Sequence, residues 1–270
     1  MLMGLKDCHN FKDFRRMAKQ RLPGPIFHYI DGAADDETTY RRNSEAYEQV
    51  DLVPNILASV QDIDMSVEVM GQKLDMPLFC SPTALQRLFH HEGERAVARA
   101  AQKFGTMFGV SSLGTVSVEE IGKLISTPKM FQLYFHKDKG LTNSMIDRAK
   151  AANFNVLALT VDTIVGGNRE RDKRTGFTSP PKLTPSSLLS FALHPMWAIN
   201  YFTNEKFSLP QLETHVQEGT NIAVSVSDYF AKMLDQNMSW KDAEEISAKW
   251  DGQFCLKGVM SVEDAKRAVA

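Results

Sequence analysis

Residues 155–161 read Asn-Val-Leu-Ala-Leu-Thr-Val and are followed by Asp162. The run has neither the alternation of a half-exposed strand nor the period of an amphipathic helix, which is typical of a strand buried on both faces. Further apolar runs of this kind, with helical patterns between them, lie at 76–80, 106–110, 129–134 and 253–257. Alternating strands and helices predict a parallel sheet, either open and doubly wound or closed as a (β/α)8 barrel.

The helical patterns between these runs have recognisable starts. Ser117, Ser239 and Ser261 each stand three positions before an acidic residue, which is the pattern of a helix N-cap. Residues 93–104 place apolar side chains on one face, and residues 141–153 fill the remaining interval between strands. These patterns support an α/β fold.

The spacing of the predicted strands divides the chain. Residues 1–75 precede the first strand and are predicted to form an N-terminal cap segment, with a partial barrel over 76–270. A long insertion, residues 163–238, follows the fourth strand; insertions of this length are usually functional or mobile. About 120 residues remain for repeat units of roughly 25–31 residues each, so a barrel would have about five of its eight β/α units.

Composition excludes several classes of protein. The formal net charge is −2 and the isoelectric point is about 6.4, which gives no electrostatic basis for a nucleic-acid partner. Three widely spaced cysteines do not suit a disulfide scaffold, and no signal-peptide pattern or bilayer-spanning run is visible. We therefore expect a cytoplasmic protein of enzyme size.

Polar residues follow the predicted strands where parallel α/β folds place their working groups. Hydroxyl, amide and ammonium groups meeting at one mouth suit a flat heteroaromatic ligand, whereas a hydrolase or zinc site would need paired carboxylates or His and Cys clusters. Each residue has a plainer alternative: serine and threonine form turns, Asp162 caps the insertion, and Lys257 points into solvent. The residues at the strand ends are Ser81, Pro82, Thr83, Ala84, Ser111, Ser112, Gln132, Tyr134, Thr160, Asp162, Lys257 and Gly258.

Motifs for other chemistries are missing from the sequence. No glycine-rich nucleotide motif follows a strand, and no Gly-x-Ser-x-Gly elbow is present. His90-His91-Glu92 contains metal-ligating residue types, but adjacent side chains rarely converge on one ion. We predict no metal site.

Six runs of the sequence resemble the FMN-dependent α-hydroxy acid dehydrogenases, the family that includes L-lactate dehydrogenase, glycolate oxidase and mandelate dehydrogenase. The resemblance covers essentially the whole chain and implies a TIM (β/α)8 barrel that holds FMN at its mouth. The runs are Phe27-His28-Tyr29-Ile30-Asp31-Gly32-Ala33-Ala34, Ser81-Pro82-Thr83-Ala84, Phe131-Gln132-Leu133-Tyr134, Leu159-Thr160-Val161-Asp162, Arg169-Glu170-Arg171-Asp172 and Leu256-Lys257-Gly258-Val259.

The resemblance also implies roles for individual residues. The main chain of Pro82, Thr83 and Ala84 would line the flavin, Ser111, Gln132 and Thr160 would bond its ring, and Lys257 would stabilise its reduced form. Tyr29, Tyr134 and Arg169 would hold the substrate, with Asp162 as a further catalytic residue. The implied reaction oxidises a small L-2-hydroxy acid, most similar to lactate, to the 2-oxo acid.

The family's catalytic base does not match any histidine of this chain. In the family it lies in a Ser-Asn-His-Gly-Gly-Arg run on the sixth strand, which would fall after Ala270. We therefore expect a chain truncated at its C-terminus, without normal turnover by itself and with exposed sheet edges. The alternatives are a non-catalytic barrel fragment and a glycolate-oxidase-like enzyme that uses oxygen.

The insertion resembles the membrane-associated lactate and mandelate dehydrogenases, which pass electrons to quinone. Its apolar residues 188–207 are too short and too broken by Pro195 to span a bilayer, but suit an interface on the inner face of the cell membrane; the alternative is a lid. Ala84 and Leu113 depart from the patterns of individual branches, so quinone, oxygen and a cytochrome all remain as acceptors. The family also implies a homo-oligomer.

Overall fold

A computed structural model describes residues 4–59, 61–163, 165–177, 182–206, 208–212 and 232–270. The helices are α1 Phe11–Arg21, α2 Gly24–Asp31, α3 Thr38–Glu45, α4 Gln86–Phe89, α5 Gly93–Lys103, α6 Val118–Leu124, α7 Lys139–Ala151, α8 Glu170–Thr175, α9 Pro185–Ala192, α10 Pro195–Thr203, α11 Trp240–Trp250 and α12 Val262–Val269. The strands are β1 Val67–Val69, β2 Gln72–Leu74, β3 Phe108–Ser111, β4 Lys129–Leu133, β5 Val156–Thr160 and β6 Gln253–Lys257.

The chain divides into two compact units. The first unit contains residues 1–65 and 167–196, and the second contains residues 66–166 and 197–270. In the first unit α2 packs against both α8 and α9, although these helices are far from it in sequence. The amide of Gly24 at the start of α2 donates to Ser190 Oγ at 2.8 Å, which ties α2 to α9.

A four-stranded parallel sheet forms the centre of the second unit, with its strands in the order β3-β4-β5-β6. Helix α6 connects β3 to β4, α7 connects β4 to β5, and α11 precedes β6. The strands β3, β4 and β5 are buried throughout, whereas β6 is half-buried. These strands and the helices between them confirm the predicted α/β fold. The bounds of β6 agree with the predicted run 253–257.

An antiparallel hairpin of β1 and β2 covers one face of this sheet. Leu74 packs in a cluster with side chains of the parallel sheet and its flanks, and Val67 and Val69 contact the same cluster. Alternate residues of the strands, such as Phe131 and Leu157, point to the opposite face, where α7 packs against β4. The buried members of the hairpin-covered cluster are Leu74, Met107, Met130, Val156 and Ala158.

The predicted strand 76–80 is reduced to a single parallel bridge between Cys80 and Phe108. Pro77 has no amide hydrogen to donate to a neighbouring strand, and the amide of Leu78 turns back to Met76 O at 2.8 Å. Cys80 pairs with β3 through its amide to Met107 O and its carbonyl to Gly109 N. The segment therefore lies beside β3 without forming a regular strand.

The predicted helix N-caps are confirmed. Ser117 Oγ accepts from Glu120 N at 3.1 Å, and Ser261 Oγ accepts from Asp264 N at 3.0 Å. Ser239 and Asp242 form a reciprocal capping box at the start of α11. The hydroxyl of each serine satisfies an amide that the first helical turn leaves without a partner.

Candidate functional site

A row of buried polar side chains crosses the carboxyl ends of three neighbouring strands. Ser111 Oγ donates to Gln132 Oε1 at 2.9 Å, and Gln132 Nε2 donates to Thr160 Oγ1 at 2.7 Å. All three residues are only 1% exposed. Because buried polar groups are costly without partners, this row is ordered by its own hydrogen bonds. Ser111 also accepts from Leu113 N, which fixes the orientation of its hydroxyl.

Lys257 continues the row on the next strand. It is the register partner of Thr160, and its carbonyl accepts from Val161 N at 2.9 Å. Its side chain is exposed, so the strand beside Thr160 carries a solvent-accessible lysine at this end of the sheet. This part of the sequence prediction, in which Gln132, Thr160 and Lys257 share one end of one sheet, agrees with the structure.

The residue after Lys257 requires glycine. Gly258 has φ +110°, and a Cβ at this position would lie 2.4 Å from Asp162 Cγ. The carboxylate of Asp162 therefore lies directly over the turn that follows β6. The structure brings Asp162 and Lys257-Gly258 together as two adjacent strand ends.

Residues Pro82, Thr83 and Ala84 lie beside the carboxyl end of β3. Their segment is held at its start by Cys80 and at its end by Leu85, whose amide donates to Leu113 O at 3.1 Å. Within it, Thr83 N donates to Ser81 O at 2.9 Å in a tight turn. The main chain of this segment is thus held next to Ser111.

Gly109 allows this close approach, although it is not among the site residues predicted from the sequence. A Cβ on Gly109 would lie 2.9 Å from Pro82 Cδ and 3.1 Å from Cys80 O. A glycine inside a buried strand is a known signal that another backbone approaches closely, so the residue type alone carried the information.

Tyr134 follows β4 and is half-buried. Burial, reinforced by the negative charge of Asp162, raises the pKa of Tyr134 to about 12. Its amide donates to Ser112 Oγ at 3.4 Å. The phenol therefore keeps its proton at physiological pH and is a hydrogen-bond donor, not a base.

The shifted pKa of Tyr134 predicts a loss of stability at high pH. The contribution of the neutral Tyr134 phenol to the free energy of unfolding is complete below pH 10, the pKa of an exposed tyrosine. This contribution disappears as the pH rises through about 12. Urea unfolding should show wild type losing about 2–3 kcal/mol relative to Tyr134→Phe over this window. Asp162→Asn should reduce this loss of stability, since it removes the negative charge that also raises the pKa of Tyr134. Parallel pH profiles for wild type and Tyr134→Phe would contradict the assignment.

Tyr29 and Arg169 lie together in the first unit. The guanidinium carbon of Arg169 is 5.0 Å from the centre of the Tyr29 ring, and the ring also packs against Phe177 at 5.2 Å. Arg169 donates to Asp172 Oδ2 at 2.6 Å and to the carbonyls of Tyr29 and Gly32. The structure thus places these two predicted substrate residues in direct contact, while the other nine predicted site residues belong to the second unit.

His136 is the histidine nearest to the end of β4. It is fully buried, and burial lowers its pKa to about 4, so the ring is neutral at physiological pH. In the part of the chain that the structure describes, no three His, Cys, Asp or Glu side chains are grouped to hold a metal ion.

With this geometry established, comparison with known proteins identifies the family. The profile of the FMN-dependent dehydrogenases matches residues 18–270, so the chain belongs to this family. It is 36% identical over 258 residues to an L-lactate dehydrogenase of Vibrio parahaemolyticus, covering 95% of the chain and 68% of that protein. It is also 36% identical over 260 residues to glycolate oxidase 1 of Oryza sativa, covering 96% of the chain and 64% of that protein.

Solved structures show the same relationship. The crystal structure of the monotopic membrane protein (S)-mandelate dehydrogenase matches with a TM-score of 0.88 and 28% identity, covering 97% of the chain and 69% of that protein. Mandelate oxidase matches with a TM-score of 0.77 and 31% identity, covering 96% of the chain and 64% of that protein. The chain therefore spans about two thirds of the length of these relatives and shares the fold of the FMN-dependent barrel enzymes.

The donors and acceptors of the second unit fit FMN, the cofactor of this family. The isoalloxazine ring has polar atoms along one edge and flat apolar faces, so it needs neutral donors and acceptors in one row together with a cation. Ser111, Gln132 and Thr160 provide the row, and Lys257 provides the cation at its end. The missing Cβ of Gly109 keeps the neighbouring main chain of Pro82 close to this row.

Proposed function

We propose that this chain forms the flavin-binding part of an enzyme that oxidises an L-2-hydroxy acid, with lactate as the first candidate, to the 2-oxo acid. The supporting observation is the buried row Ser111–Gln132–Thr160 that ends at Lys257 on neighbouring strands. The family match and the L-lactate dehydrogenase relative support the same reaction. FMN would supply the acceptor for two electrons.

The residues of the second unit would hold the cofactor. The hydroxyls of Ser111 and Thr160 and the amide of Gln132 would bond the polar edge of the ring, and the main chain of Pro82, Thr83 and Ala84 would lie against the flavin. Lys257 would place a positive charge at the same edge, where it favours the addition of electrons. These roles require a rigid row, which the mutual hydrogen bonds of the three buried side chains provide.

Four residues would act on the substrate. Tyr134 would donate its phenolic hydrogen to a substrate oxygen, and Asp162 would help to keep that hydrogen on the phenol through its nearby charge. Tyr29 would provide a second hydroxyl. Arg169 would provide positive charge for the substrate carboxylate, in addition to its bonds to the carbonyls of Tyr29 and Gly32.

Flavin binding by the purified chain tests this proposal. Equilibrium dialysis should show FMN bound at one site, and riboflavin should compete for that site because the proposed contacts are all made to the isoalloxazine ring. Anaerobic addition of L-lactate, with D-lactate as the control, then tests the reaction through loss of the visible flavin band. Bound FMN that no 2-hydroxy acid bleaches is the result expected of a chain without normal turnover by itself, and rapid bleaching by L-lactate would contradict that expectation. Absence of FMN binding would refute the proposal.

The electron acceptor and the cellular location of the enzyme are further parts of the proposal. The similar proteins include both a glycolate oxidase and a monotopic membrane protein, so the proposal considers both oxygen and a membrane quinone as acceptors. None of the helices in the described residues is long and apolar enough to cross a membrane. We favour a quinone reached by peripheral contact with the inner face of the cell membrane, because residues 188–206 expose large apolar side chains. These are Leu188, Leu189, Leu193, Met196, Ile199 and Phe202, all at least 51% exposed.

Trp197 has a different position from these residues. Its indole Nε1 donates to Leu88 O at 2.8 Å, and its ring stacks on Tyr201 at 5.1 Å. It therefore fixes the part of α10 that belongs to the second unit, from residue 197 onward. Residue 207, the end of the segment predicted for membrane contact, lies outside the described residues.

Phe202 is the better residue for a membrane test, since it is 78% exposed. Phe202→Asp should weaken binding to vesicles of phosphatidylcholine and phosphatidylglycerol by about tenfold or more, because burying an aromatic side chain contributes about 2 kcal/mol. Phe11→Asp is the matched control, because Phe11 is an aromatic residue that is 90% exposed outside this segment. Co-sedimentation measures both. Equal binding by the two variants would refute contact through Phe202.

The predicted cap segment 1–75, the partial barrel 76–270 and the homo-oligomer remain part of the proposal. Residues 50–57 favour a further contact of the N-terminal segment, because Val50, Leu52, Val53, Ile56 and Leu57 are all at least 67% exposed. Analytical ultracentrifugation of the chain measures its oligomeric state directly.

A further inference from the structure

Two segments that are about 140 residues apart in sequence meet in the first unit. One is the end of α2 with the loop that follows it, residues 29–37, and the other is residues 168–177 around α8. Asn168 Nδ2 donates to Asp35 Oδ1 at 2.9 Å, and Asp35 N donates to Asn168 O at 3.0 Å. The first segment carries Tyr29 and the second carries Arg169.

Arg171 joins these segments by two charged bonds. Its Nη1 donates to Asp31 Oδ2 at 2.9 Å, and its Nη2 donates to Glu37 Oε2. The side chains of Asp31 and Glu37 are 7% and 13% exposed, and that of Arg171 is 30% exposed. Ion pairs of this kind are stronger than fully exposed ones because water competes less for the charges.

The carboxylate of Asp31 is shared by two arginines. Arg15 Nε donates to Asp31 Oδ1 at 2.5 Å and Arg15 Nη2 donates to Asp31 Oδ2 at 2.9 Å, in addition to the bond from Arg171. The hydrogen bonds from Arg15, followed by those from Arg171, lower the pKa of Asp31 below its usual value. Asp31 therefore remains charged and connects α1, α2 and α8.

The aliphatic part of Arg171 also contacts the loop. A Cβ on Gly32 would lie 3.1 Å from Arg171 Cδ and 2.6 Å from His28 O. Gly32 is the residue whose carbonyl accepts from Arg169 Nη1 at 3.2 Å. Arg171 thus packs on the same short turn that binds Arg169, immediately after Tyr29.

We propose that Arg171, acting through Asp31 and Glu37, is a positioning residue that holds Tyr29 and Arg169 against each other. The value of this arrangement for catalysis rests on the proposed function, but the arrangement itself does not. The guanidinium carbon of Arg169 is 5.0 Å from the centre of the Tyr29 ring, and Arg171 binds Asp31 and Glu37 at the two ends of the loop that follows Tyr29. Without Arg171, the loop loses two charged bonds to α8 and retains the bonds from Arg169 and Asn168.

Amide hydrogen exchange of the purified chain tests this inference. Arg171→Gln should speed exchange in peptides covering residues 29–37 and 169–177 by about tenfold, because two charged bonds are lost. Arg171→Lys should show a smaller effect because lysine keeps the positive charge. The effect should still be measurable, since one ammonium cannot replace the two-pronged guanidinium. Arg174→Gln is the matched control, because Arg174 pairs with Glu170 on the exposed face of the same helix.

A second readout is specific to the contact with Asp31. Carboxyl titration by NMR should show a higher pKa of Asp31 in Arg171→Gln than in wild type, because a charged hydrogen-bond donor is lost, and no change in Arg174→Gln. Exchange at Tyr29–Gly32 that matches the Arg174→Gln control, or an unchanged pKa of Asp31, would overturn the inference. Loss of protection in β3–β5 as well would also overturn it, since Arg171 would then be a general stability residue. Neither measurement needs flavin, so failure of FMN binding would refute only the proposed function.

Discussion

Gln132→Leu is expected to lower the free energy of unfolding by about 2–4 kcal/mol and the affinity for FMN by at least tenfold. Leucine has nearly the volume of glutamine but cannot accept from Ser111 Oγ or donate to Thr160 Oγ1. Both hydroxyls would then lose a partner at positions that are 1% exposed, and each unsatisfied group costs about 1–3 kcal/mol. Urea unfolding and equilibrium dialysis measure the two effects.

Gln102→Leu provides the matched control for this substitution. Gln102 is exposed, and its side chain accepts one hydrogen bond from Ser126 N at 2.8 Å. We expect its loss to cost less than about 1 kcal/mol and to leave FMN affinity unchanged. If Gln132→Leu were as mild as Gln102→Leu, the buried row would not be formed as described. Thr160→Val, alone and combined with Gln132→Leu, would then measure their coupling directly.

Gly109→Val is expected to be the most disruptive single substitution in the sheet, at about 3 kcal/mol or more. Valine favours strands, so propensity alone predicts a neutral or stabilising change at this position. The new side chain would instead meet main-chain atoms, with Pro82 N at 3.0 Å and Cys80 O at 3.1 Å from its Cβ. The segment that carries Pro82, Thr83 and Ala84 must move away from β3, and we expect FMN binding to be lost with it.

A series at this position separates the size of the side chain from a general effect of losing glycine. Gly109→Ala should already destabilise the protein, and Gly109→Val should do so more strongly. Gly140→Ala in the exposed first turn of α7 is the control, and alanine should be neutral or stabilising there because of its helix propensity. Equal stability of Gly109→Val and wild type in urea would show that the segment from Cys80 to Pro82 does not lie against β3.

Helices and strands could be predicted where residues that are close together in the sequence determine them. The N-caps at Ser117 and Ser261 and the bounds of β6 follow from residues within a few positions of each other. The strand predicted at 76–80 failed because its regularity depends on amides that Pro77 does not have and on pairing with β3. An apolar run does not reveal how many of its backbone groups find a partner.

The same distinction applies to the candidate site. Ser111, Gln132, Thr160 and Lys257 could be found because the carboxyl ends of parallel strands lie at one edge of the sheet. Gly109 and Arg171 were missed because each acts on a segment that is distant along the chain: Gly109 on Pro82, and Arg171 on Asp31. Such contacts require the fold, although an isolated glycine in a strand is a usable hint.

The hairpin of β1 and β2 has a consequence for synthesis of the protein. Leu74 belongs to a cluster that also includes Cys255, about 180 residues later in the chain. At roughly 5–20 residues per second, a ribosome needs about 10–40 seconds to cover that distance. Until Cys255 is synthesised, the cluster of Leu74, Met107 and Met130 is incomplete. The nascent chain therefore exposes apolar surface to which chaperones are expected to bind.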